Sequence, residues 1–169
     1  PSIDWVTSFS GHVHTAAQWW HAEIDHNWEK RRTQALALLA RDAELSRIVN
    51  LVGPEALSDA QRWELEGASL VKEGVLQQSA LDDVDTFCSP QKQYALLDLA
   101  ITIYKRGAAL IEIGVPVSEL QSLPILAKMR RLKSMYTSEQ MDDIQAFRVE
   151  VNASMEEIRV EYAKHGERA

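Results

Sequence analysis

The apolar residues Ile144, Phe147, Val151, Met155, Ile158 and Tyr162 recur at spacings of 3, 4, 4, 3 and 4. That period is helical, and it lines the six side chains up as a seam against one neighbour. Tyr94, Leu97, Ile101, Tyr104, Ala108 and Ile111 repeat the rhythm, as do Leu45, Ile48, Val49 and Val52. The strict apolar-polar alternation of half-buried strands is missing. The 7 glycines and 5 prolines fall mostly at punctuation points: Gly53-Pro54, Gly74, Ser89-Pro90, Gly114-Val115-Pro116 and Pro124. The expected fold is all-α, a bundle of about five to seven helices forming one domain over residues 1–169.

The pattern predicts a long first helix from about Thr15, through Arg41, to Val52. Gly53-Pro54 stops it. Ser58 and Gln61 have capping-box spacing and open the next helix, whose apolar stripe is Trp63, Gly67, Leu70 and Val71. Gly67 suits a close helix approach. "VLQQSALDDVDTFC" reads as a short helix and then an irregular acidic loop. Ser89 as cap and Pro90 at the first helical position start another helix, ending at Gly114. Residues 116–124 read as broken turns. A basic helix, "AKMRRLKSM", follows, and Thr137 with Gln140 opens the last one.

Several chemistries find no support in the residues. The net charge of −7 lacks the basic field that nucleic-acid binding needs. No apolar run reaches the roughly 18 residues of a membrane span, and no signal-peptide pattern is visible. The single cysteine, Cys88, cannot close an internal disulfide, and beside aspartates it makes a poor nucleophile. A reduced, cytoplasmic setting is expected. The phosphate-cradling loop, the dinucleotide fingerprint, C-x-x-C and H-E-x-x-H are all absent.

Four groups invite a functional reading beside a plainer one. His12, His14, His21 and His26, with Glu23 and Asp25, contain metal-ligand residue types. They spell no closed ligand set, so solvated or interface histidines are the expectation. Trp19, Trp20 and Trp28 read as core and interface anchors rather than a cofactor box. Lys128, Arg130, Arg131 and Lys133 read as a solvated helix face rather than a phosphate site. Asp82, Asp83 and Asp85 read as a capped, solvated turn, since the glycine and closing glutamate of a calcium loop are lacking. The turn at residues 53–59 exposes Glu55, Leu57 and Asp59 on this reading. "PSIDWVTSFS" looks like an edge that packs against something, the start of a processed chain or of a piece of a longer one. Two alternatives stay open on the residues alone: a free-standing helical adaptor for a partner helix, and a small metalloprotein built on the histidines.

Three stretches combine into a familiar pattern. "PSIDWVTSFS" resembles the Pro-Ala-Ile-Asn-Trp segment of the catalytic A subunit of V-type and archaeal-type rotary ATPases. "AELSRIVNLVGPEALSDAQRWELE" and "VLQQSALDDVDTFCSPQKQYALL" are similar to successive segments of that subunit's C-terminal domain, in the same order and spacing. The resemblance runs from Pro1 to about Lys133.

It implies a C-terminal helical domain, with residues 1–10 as the edge toward an upstream nucleotide-binding domain. It also implies ATP or ADP with magnesium as cofactors of the full subunit, and no activity or cofactor for this stretch alone. The implied partners are that nucleotide-binding domain, the non-catalytic B subunits and the central rotor stalk, with no nucleic acid and no direct membrane contact. The setting would be cytoplasmic, peripheral on a membrane, in a complex coupling ATP hydrolysis or synthesis to proton or sodium transport. By the same resemblance Glu55, Leu57, Ser58 and Asp59 would touch the stalk. Leu81, Val84 and Phe87 would wall the adenine pocket. Phe87 keeps an aromatic, whereas Leu81 and Val75 stand where the family usually has phenylalanine.

Overall fold

The computed structural model describes residues 12–79 and 81–166. The N-terminal edge read at residues 1–10 lies outside them. Among the described residues there is no strand. Seven α-helices follow in order: α1 (Val13–Glu23), α2 (Trp28–Val52), α3 (Asp59–Val71), α4 (Pro90–Glu112), α5 (Val117–Gln121), α6 (Pro124–Met135) and α7 (Met141–Gly166). A 3₁₀ turn at Pro54–Ala56 precedes α3, and a π turn at Lys72–Leu76 continues it.

The expected long first helix is in fact two. The Asn27 N–H donates to the Asp25 carboxylate at 2.7 Å, and the chain breaks between Glu23 and Trp28. An aspartate bonding its own backbone two residues on is a turn-maker that competes with the helix ladder. Other ends follow their local chemistry. Ser58 and Gln61 form the reciprocal capping box at α3, and Ser89 accepts from the Lys92 N–H at the start of α4.

The core lies where α3 and α4 cross. Leu70, Val71, Leu96, Leu99, Ile101 and Ile103 are fully buried there. Glycine permits the approach at two places. A methyl on Gly67 would sit 2.6 Å from Tyr104, and one on Gly107 would sit 2.1 Å from Trp63. Trp63 offsets the cost of its burial by donating its indole N–H to the Tyr104 carbonyl at 2.8 Å. The seam of α7 lies inside, with Ile144, Phe147, Val151, Met155 and Ile158 buried.

Charge ties the layers together. Asp98 on α4 accepts from Arg31 on α2 and forms an ion pair with Arg148 on α7, each at 2.5 Å. The basic helix is not a solvated face. Lys128 pairs with Glu150, and Arg130 with Glu66 and Glu73. Lys133 is buried, and only Arg131 of the four lies exposed.

Candidate functional site

Two ends of α3 carry the residues of interest. At its N-terminal end, Gly53 takes φ 88°, a left-handed value natural to glycine, and turns the chain out of α2. The 3₁₀ turn then carries Glu55 and Ala56 into solvent. Leu57 does not follow them. It is 5% exposed, which corrects the expectation of an exposed side chain. The apolar side chain just before the Ser58 cap turns inward, out of water.

Ser58 and Asp59 are exposed, but both are already employed. Ser58 caps α3, and the Asp59 carboxylate accepts the Val117 N–H at 3.0 Å, capping α5. The large apolar surface of this tip comes from the last turn of α2. Leu51 is 83% exposed and Val52 65%. Helical periodicity puts Val52 on the buried stripe, but the helix ends before a neighbour can cover it.

At the C-terminal end, the π turn leads into a loop described at residues 77–79 and 81–88. A methyl on Gly74 would lie 3.1 Å from the Met129 carbonyl, so the turn runs against α6. The loop is closed on itself. The Gln78 side-chain amide donates to the Asp85 carbonyl at 2.7 Å and to the Thr86 carbonyl at 3.2 Å. Asp85 accepts the Ser79 N–H at 2.6 Å, and Asp82 accepts the N–H groups of Val84 and Asp85 at 2.9 and 3.1 Å.

Thus Asp82 is the expected turn cap, while Asp85 departs from the solvated reading: it is buried against Lys133, 3.3 Å away. On this braced loop Leu81 is 98% exposed and Phe87 70%, with Val84 half-buried. Val75 sits apart from them, packed against the core.

Behind the loop lies a cleft of about 420 Å³ lined by Trp20, Trp28, Arg32, Tyr94, Cys88 and Lys133, among others. Trp20 and Trp28 stack with centroids 5.2 Å apart, as anchors between α1 and α2. Burial pushes the Cys88 thiol up, which disfavours the nucleophilic thiolate. Burial also pushes the Lys92 ammonium down, and its Nζ donates to the Lys133 carbonyl at 2.8 Å. Among the described residues no three His, Cys, Asp or Glu side chains come together as a metal site. His21 lies 3.9 Å from Glu29 instead. No described helix is long and apolar enough to cross a membrane.

The family model for the C-terminal domain of V and A type ATP synthase matches residues 17–120. The V-type ATP synthase alpha chain of Nitrosococcus oceani is 52% identical over 166 residues, covering 98% of this chain and 28% of that protein. The A-type ATP synthase A subunit of Methanopyrus kandleri is 37% identical over 158 residues, covering 94% of this chain and 27% of that protein. That of Thermococcus onnurineus is 36% identical over 162 residues, covering 96% and 27%. The chain therefore spans little more than a quarter of the length of these relatives. With more than half its residues inside the family match, the chain belongs to the family of C-terminal domains of V and A type ATP synthases.

Proposed function

We propose that this chain works as the C-terminal helical domain of a catalytic A subunit in a rotary ATPase or ATP synthase. The observation that carries the reading is the 52% identity to a V-type ATP synthase alpha chain along 98% of the residues. ATP or ADP with magnesium binds on the upstream domain of the full subunit, whose phosphate loop this stretch lacks. By itself the stretch does not hydrolyse ATP. The assembled complex is peripheral on the cytoplasmic face of a membrane and couples the nucleotide reaction to proton or sodium movement. The nucleotide-binding domain, the B subunits and the central stalk are its partners.

Within that machine the two ends of α3 have different tasks. The loop bearing Leu81 and Phe87 forms one wall of the adenine pocket, with Val84 behind it. Two large apolar side chains held in solvent on a hydrogen-bonded loop support this reading, since they are free to pack on a base. The tip at residues 51–59 meets the central stalk. Leu51, Val52, Glu55 and Ser58 supply its outer surface, and Leu57 and Asp59 hold its shape.

Cysteine cross-linking in the assembled complex tests the tip. With Cys88 replaced, Leu51→Cys and Ser58→Cys should each link to a stalk cysteine in at least one rotary state. Leu57→Cys, being buried, should link in none. Failure of both exposed positions in every nucleotide condition would remove the stalk assignment.

A further inference from the structure

The loop that carries Leu81 and Phe87 is held from below by one buried ion pair. Asp85 and Lys133 lie 3.3 Å apart, each with a side chain only 6% exposed. Among the described residues neither Asp85 Oδ1 nor Lys133 Nζ has a hydrogen-bond partner, so on these two atoms the ion pair is the direct contact. A buried charge that loses its nearest counter-charge is penalised, which makes such a pair a stiff register between two elements. The other Asp85 oxygen, Oδ2, accepts the Ser79 N–H at 2.6 Å, near the start of the loop. Its backbone carbonyl accepts from the Gln78 side chain. Asp85 thus gathers the entry of the loop and pins it to α6.

The α6 side of the pair is equally constrained. Lys92, fully buried, donates to the carbonyl of Lys133 itself. Arg130, one turn earlier, pairs with Glu73 in the π turn at 3.1 Å and with Glu66 on α3. The loop's exit is fixed as well, because the Ser89 N–H donates to Ser138 Oγ at 3.0 Å, in the connection from α6 to α7. Two exposed apolar residues are therefore presented by a loop whose middle is pinned to α6 and whose exit is tied to the connection that follows α6.

We propose that Asp85 and Lys133 are positioning residues for the nucleobase: they hold the 77–88 loop so that Leu81 and Phe87 meet the adenine ring in a preformed wall. This rests on the adenine-wall reading above. The pair touches no nucleotide and does not act on the phosphates. Its loss loosens the wall, raises KM for ATP, leaves kcat near its original value and weakens the preference for ATP over GTP.

The test uses the full subunit in its assembled complex. Asp85→Asn and Lys133→Met are made singly and together, beside Asp85→Glu and Phe87→Ala. Steady-state hydrolysis of ATP and GTP is read on each, with hydrogen exchange of residues 77–88. Phe87→Ala should raise KM about two- to tenfold, the range for losing one aromatic contact. Asp85→Asn should raise KM by a similar factor with kcat retained, narrow the ATP-to-GTP ratio, and speed exchange in the loop while α4 and α7 stay protected. Asp85→Glu should recover part of each effect.

If a lone buried charge prevents assembly, the double variant, which removes both partners of the pair together, carries the test. Unchanged exchange in the loop, or an unchanged KM for Asp85→Asn where Phe87→Ala raises it, overturns the inference. If Phe87→Ala leaves KM and base preference alone, the adenine wall itself has failed and the nucleobase role of the pair falls with it. The exchange data still decide separately whether Asp85 and Lys133 hold the loop.

Discussion

Tyr94 shows how a single side chain records its surroundings. Burial, and then the facing Asp25 carboxylate, push its phenol up from 10.0 to about 12. The unfolded chain releases that proton near 10 and the folded chain near 12, so the folded form is favoured fully below pH 10 and loses the advantage as pH rises to about 12. Tyr104 and Tyr162 are raised too and act in the same direction. Tyr94→Phe should therefore flatten, without abolishing, the fall in stability across that window, as read from urea midpoints at a series of pH values. Asp98 is the sterner case. Replacing it with Asn leaves Arg31 and Arg148 facing a neutral amide, and should cost about 2–3 kcal/mol in chemical denaturation. Neither role is legible in the sequence. Periodicity makes Tyr94 an apolar stripe residue, and nothing local singles out Asp98, because its partners lie 67 and 50 positions away.

At the level of elements, legibility follows the range of the interactions. Ser58 with Gln61, and Ser89 with Pro90, mark helix starts through contacts within four residues, so sequence suffices. The α7 seam is readable because one periodic stripe needs only one neighbour. The break at residues 24–27 escapes sequence reading because no glycine or proline announces it; an Asp-to-backbone bond makes the turn. The π turn is invisible because its cause is tertiary, with Gly74 pressed against the Met129 carbonyl. Gly67 stands out in sequence as a close-approach residue, while Gly107, tighter still, hides inside a strong helical pattern. Gly107→Ala should lower stability by about 1–3 kcal/mol, since Trp63 cannot retreat from a methyl 2.1 Å away without losing its place in the core. Thermal and urea unfolding would show it, and an unperturbed midpoint would mean that α3 and α4 can separate at little cost.

Across the whole molecule, α3 joins the two proposed working ends. Its 13 residues span about 20 Å, with the tip at one end and the braced loop beyond the other. Trp63, Gly67, Ala68, Leu70 and Val71 lock it into the core, so it can move only with its neighbours. The family resemblance locates both ends in the sequence, but it does not tell which side chains face outward. Leu57 turns in, Asp59 turns toward α5, and Leu51 and Val52 take their place outside. That division separates two kinds of defect. Asp59→Ala frees the N-terminus of α5 and loosens the tip while leaving the loop's tethers to α6 intact. In the assembled complex it should reduce ions moved per ATP hydrolysed, with KM for ATP within about twofold of the original. Phe87→Ala should do the reverse, raising KM and sparing the ion-to-ATP ratio. Both are measured in sealed vesicles by recording ion uptake beside phosphate release. If Asp59→Ala instead raised KM as much as Phe87→Ala does, the two ends would not be separable through α3, and the tip would have to be treated as part of the nucleotide pocket's support.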